Sequence, residues 1–116
     1  MPYEFQQGKT REYRYTEFDA TSTLALWTPR SGNAVAFDAI TITNNGAAGT
    51  FLLAWSTASS NVPGAKIATF TVGASASISP SIALVEGTIR DAVLWGRPSS
   101  AATNSWSVTV YGFEIS

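Results

Sequence analysis

An antiparallel all-β sandwich is the fold class this sequence predicts, and three observations lead to it. Apolar residues recur with period two in segment after segment, as on half-buried strands. Clusters of Gly, Pro, Asn and Ser separate those segments at the spacing of a sandwich. Helical periodicity is hard to find anywhere. The segments number about eight, which suits two packed sheets of jelly-roll or Greek-key type. A chain of 116 residues has the size of one compact domain. Here an extended N-terminal arm, residues 1–19, leads into a β-sandwich domain at 20–116.

The first element is the end of the arm, where residues 11–18 count as a strand. Residues 23–28 put Leu24 and Leu26 on one face, and Pro29-Arg30-Ser31-Gly32-Asn33 breaks that strand. A longer strand follows at 34–43, in which Val35 and Phe37 share one parity and Ile40 and Ile42 the other. That switch predicts a bulge near Asp38 and Ala39, or burial of both faces. Asn44-Asn45-Gly46-Ala47-Ala48-Gly49 is a turn by composition, because Asn and Gly reach positive φ at little cost.

In the strand at 50–56, Phe51, Leu53 and Trp55 line one side, which predicts Trp55 to be a core residue. After a long loop at 57–65 comes a strand at 66–72, with Ile67, Thr69 and Thr71 opposite Ala68, Phe70 and Val72. Residues 73–80 are a Ser/Ala-rich connection, and 81–85 a short edge strand beside Pro80. The segment 88–95 is expected as one strand with Ile89, Val93 and Trp95 on one face, and 97–104 as the second long loop. The last strand, 105–115, has Trp106, Val108 and Val110 as its outer set and Tyr111, Phe113 and Ile115 as its inner set.

Charge and chemistry are unevenly supplied. The arm holds seven of the fifteen charged residues and, up to Phe18, five of the fourteen aromatics. Ala, Ser, Thr and Gly fill 54 positions, and charged residues make up only 13% of the chain against about 25% in an ordinary soluble domain. Such a surface is weakly protected against association. With no His and no Cys, Ser-His-Asp and Cys-His nucleophiles, the usual zinc sites and disulfides are all unavailable. The body's acids, Asp38, Glu86, Asp91 and Glu114, read as structural or solvated groups rather than as a hydrolytic pair. No calcium loop or phosphate loop is present, so no metal and no cofactor is expected.

Seven basic residues are scattered under a net charge of −1, which argues against a nucleic-acid partner. No apolar run is long enough to span a membrane, and the N-terminus lacks the pattern of a signal peptide; synthesis in a host cytoplasm is the expectation. The reading is therefore of a non-enzymatic structural or binding protein. Tyr3, Phe5, Arg11, Tyr13, Arg14 and Tyr15 of the arm are the candidate partner-binding residues. The arm either lies along a neighbouring subunit or covers an open edge of its own sandwich. Trp95 and Trp106, each beside a long loop, are candidates for an aromatic patch that would bind carbohydrate, with a packing role as the alternative.

The turn Thr28-Pro29-Arg30-Ser31-Gly32, the run Ile40-Thr41-Ile42-Thr43 and the closing stretch Ser107-Val108-Thr109-Val110-Tyr111-Gly112-Phe113-Glu114 together resemble small β-sandwich structural proteins of tailed-phage particles, of the capsid decoration or cement kind. The resemblance covers most of the body. It implies a virion protein that binds the major capsid lattice and other copies of itself, often as a trimer, with an extended arm reinforcing its neighbours. It supplies no signature residue that transfers position by position.

Overall fold

A computed structural model describes residues 11–18, 23–56, 66–80, 89–90, 92–99 and 106–115. Nine strands form in order: β1 (Glu12–Phe18), β2 (Leu24–Trp27), β3 (Ala34–Asn44), β4 (Gly49–Ser56), β5 (Lys66–Val72), β6 (Ala76–Ile78), β7 (Ile89–Arg90), β8 (Val93–Pro98) and β9 (Trp106–Ile115). One sheet runs β1-β9-β3-β6, with the two-residue β7 also on β3, and the other runs β2-β8-β4-β5. Since β9 occupies the whole of one side of β3, β6 (against Ile42–Asn44) and β7 (against Val35 and Ala36) share the other side. The result is eight strand positions in two antiparallel sheets of four.

First strand pairs with last, β1 on β9; β2 then pairs with β8, β3 with β6 and β7, and β4 with β5. That nested order decides between the two predicted topologies in favour of the jelly roll. Most strand bounds match the sequence reading within a residue or two, and β5 matches it fully. Residues 12–18 are a strand of the sandwich itself, while 1–10 lie outside the described residues.

The core fills the space between the sheets. Phe18, Phe37, Ile40, Ile42, Phe51, Leu53, Trp55, Leu94, Trp106, Val108 and Val110 belong to one buried cluster. Rings meet edge-on between Phe18 and Phe51 (5.4 Å) and between Phe37 and Trp55 (5.6 Å), and Phe51 stacks on Trp106 at 6.2 Å. Each such pair adds about 0.5–1.5 kcal/mol beyond the area it buries.

The parity switch in β3 is a bulge: its register against β9 slips between Phe37 and Ala39, so both halves of the strand send their apolar residues inward. Opposite the bulge, β9 needs Gly112. A Cβ there would meet the Ala36 carbonyl oxygen at 2.1 Å and the Phe37 Cα at 2.7 Å. The β2–β3 turn closes with the Asn33 amide donating to the Arg30 carbonyl at 2.9 Å, and Gly32 takes the φ of +83° that its third position requires.

Five expectations are corrected. The segment 88–95 is two strands in different sheets: the chain leaves β3's sheet after Arg90 and enters the other at Val93, so Ile89 and Val93 share no face. In β9 the sets are inverted, with Trp106, Val108 and Val110 in the core and Tyr111 on the outer side. Leu24 and Leu26 are not equivalent, because a register shift between Ala25 and Trp27 leaves Leu24 exposed and buries Leu26. The 73–80 connection contains β6, and β8 extends through Pro98 into the expected loop. The strand expected at 81–85 lies outside the described residues.

Candidate functional site

Alternation along β1 divides its side chains between two environments. Arg11, Tyr13, Tyr15 and Glu17 are exposed, while Glu12, Arg14 and Thr16 are half-buried and Phe18 is buried.

The inward set leads to Glu114, a carboxylate only 2% exposed on β9. Its Oε2 accepts from the Trp27 indole at 2.9 Å. Its Oε1 accepts from the Arg30 backbone amide and the Asn33 side-chain amide, both at 2.9 Å, and faces the Arg30 Nε at 3.2 Å. Arg14 lies 4.4 Å over the Trp27 ring, donates to Glu12 at 3.0 Å and approaches Glu114 at 3.6 Å, and Arg30 donates to Glu12 at 2.9 Å. Burial by itself would push the Glu114 carboxyl up. The hydrogen bonds from Trp27, Asn33 and the Arg30 amide, with the Arg30 charge, outweigh burial and hold it below the ordinary glutamate range. Hydrogen bonding to Glu12, then the charges of Glu114 and Glu12, raise Arg30 in turn.

An ionised Glu114 has no proton to donate near neutral pH, so the group is unsuited to general-acid work. It is a clasp joining β1, the β2–β3 turn and β9. Sequence reasoning placed Arg14 with the partner-binding residues; its guanidinium is instead engaged within the chain. The role of Glu114 as an anchor was hidden because Trp27, Arg30 and Asn33 stand more than eighty positions away.

The outward set forms a different surface. Tyr13 and Tyr15 are 65% and 57% exposed, the largest exposed apolar side chains among the described residues. Tyr13 lies opposite Tyr111 of β9, with ring centroids 6.5 Å apart, and Tyr15 opposite Thr109. Arg11 rests over the Tyr111 ring at 5.8 Å and forms an ion pair with Asp38 at the β3 bulge. Farther across the same face, hydroxyls pair between Thr41 and Ser79 (3.1 Å) and between Thr43 and Ser77 (2.9 Å). A hydroxyl-rich face results, with three tyrosines toward the β1 edge. Beyond β1 no further strand is paired among the described residues. Tyr3 and Phe5 lie outside the described residues.

Trp95 and Trp106 do not form an exposed patch. Trp106 is wholly buried in the core on β9. Trp95 belongs to β8 in the other sheet, between core-facing Leu94 and Gly96, so its ring points to the outer side of that sheet and is 8% exposed. Its indole nitrogen is buried and has no hydrogen-bond partner among the described residues. Position beside a loop did not bring either ring to the surface. Trp55 is a core residue, as its parity predicts.

No protein-family model matches the chain, and no curated protein matches its sequence. Its functional reading therefore rests on its own residues.

Proposed function

We propose that this protein is a non-enzymatic structural component of a phage particle, a capsid decoration or cement protein that binds its neighbours through the outer row of β1. The observation that carries this reading is the exposure of Tyr13 and Tyr15 on a strand whose far edge pairs with no strand among the described residues. Tyrosine gives large, rigid contact area at low entropic cost, and edge strands bind by adding backbone hydrogen bonds. Two further points support it. The jelly roll is a fold that viral capsid domains share, a support by analogy only, and a chain without His or Cys has little with which to run covalent chemistry. The test is cosedimentation with purified phage heads that lack the protein. Binding by the wild type, lost on Tyr13→Ser with Tyr15→Ser while the melting temperature holds, is the expected result; no binding to any head removes the reading.

A second reading, a carbohydrate- or receptor-binding module, is favoured by one feature: Tyr13, Tyr15 and Tyr111 share one sheet face with rows of paired hydroxyls. The aromatic platform then consists of these tyrosines rather than Trp95 and Trp106. Retardation in polysaccharide gels that disappears with Tyr15→Ala is the result that selects it.

A further inference from the structure

The outer row of β1 reads, in order, Arg11, Tyr13, Tyr15, Glu17. Reversed and laid against itself, this row is complementary. In an antiparallel pairing centred on Arg14, Arg11 faces the second copy's Glu17, Tyr13 faces the second copy's Tyr15, and the same pairs recur on the other side of the axis. We infer that β1 is a two-fold docking edge, on which a second copy of this chain adds its own β1 and joins the two β1-β9-β3-β6 sheets into one.

Three observations carry this. The order of the row is self-complementary in charge and in ring placement, as an isologous interface requires; opposite charges and aromatic pairs directly across an antiparallel ladder are favourable. Glu17 is exposed and has no hydrogen bond or ion pair among the described residues, so its partner is free to come from outside. Arg11 gives one guanidinium nitrogen to Asp38 and retains further N–H donors for a second carboxylate. On the inward side Arg14 meets its own counterpart across the axis, but Glu12 and Glu114 already match its charge within each copy.

The other strands that end a sheet among the described residues lack this property. β2 is four residues long and bulged, and the β6 and β7 edge is broken into two pieces. β5 is as long as β1, yet its one charge, Lys66, has no acid on the strand to pair with. A seven-residue strand pair is a small interface, so the dimer belongs to the weak, concentration-dependent class.

The inference goes beyond the phage reading and does not depend on it. A two-fold edge also opposes the trimer that the family resemblance implies. Sedimentation velocity of the full chain over a range of concentrations is the test. The wild type is expected to be a concentration-dependent dimer, and Glu17→Arg, which sets Arg11 against an arginine twice per dimer, to raise the dissociation constant about tenfold or more with an unchanged melting curve. Arg11→Glu alone should likewise be monomeric, and an equimolar mixture of the two variants should recover the dimer, because each row then complements the other. If Arg11→Glu, which puts a second carboxylate beside Asp38, does not fold, Glu17→Arg decides alone. A wild type that stays monomeric near millimolar concentration, a trimer, or a dimer indifferent to Glu17→Arg overturns the inference. A dimer that fails to bind phage heads leaves it standing and removes the phage reading instead.

Discussion

Inward-pointing Glu12 and Arg14 of β1 are held by charges and rings of the β2–β3 turn and β9, whereas Tyr13, Tyr15 and Glu17, on the same strand and one residue out of phase, meet only their own sheet or solvent. The strand carries similar residue types on both sides. What separates them is desolvation: a charge drawn against a buried carboxylate is costly to disturb, while one in water contributes little to the fold and is available to a partner. Arg11 and Arg14 are three positions apart and differ in this way.

Several measurements can break or sharpen that contrast, and the largest effect belongs to the inward side. Glu114→Ala removes the acceptor for Trp27, Arg30 and Asn33 and the buried countercharge of Arg14 and Arg30, which then share only Glu12. A loss of about 3 kcal/mol is expected, read by chemical denaturation; a loss below about 1 kcal/mol, the level of a surface pair, would erase the distinction between the faces. Gly112→Ala should cost about 2 kcal/mol, because a methyl group cannot enter the β3 bulge without moving backbone.

Acid should reproduce part of the Glu114 effect. Its carboxyl titrates below the ordinary value of 4.5 in the folded chain, so the stability it confers is present above that value and is lost as pH falls through the lowered one. Melting temperature should therefore decline in that acid range, and Glu114→Gln should flatten the decline. Smallest of all is the outward side: Tyr13→Ala and Tyr15→Ala are expected to shift stability by no more than about 1 kcal/mol each, the level of a cross-strand pair such as Tyr13 with Tyr111. Thermal melts test this, and a larger loss would mean that the tyrosines serve the fold rather than a partner.

The sequence made the strands legible wherever period two was unbroken, as in β4 and β5, and it made the β3 bulge legible because Val35 and Phe37 fall out of phase with Ile40 and Ile42. It failed where a strand changed sheets. Ile89 and Val93 share parity, but parity defines a face only while the chain stays in one sheet. In β9 the alternation was read correctly and the side wrongly, since Tyr111 and Phe113 are as apolar on paper as Val108 and Val110, and only the β2-β8-β4-β5 sheet packed against β9 fixes which set is covered. Of the candidate site, Tyr13 and Tyr15 were legible as aromatics of a charged segment; their exposure was not, because it depends on their pairing with β9. The clasp was not, because hydrogen bonds between residues more than eighty apart leave no local trace.

The pairing of β1 with β9 also has a consequence in time. As the polypeptide emerges from the ribosome, the segment that will offer Tyr13 and Tyr15 is translated early, but the ladder that stiffens it is not available until Trp106–Ile115 has been made. Until then β1 is an unpaired strand with both edges exposed, so the sandwich can close only once β9 has been made.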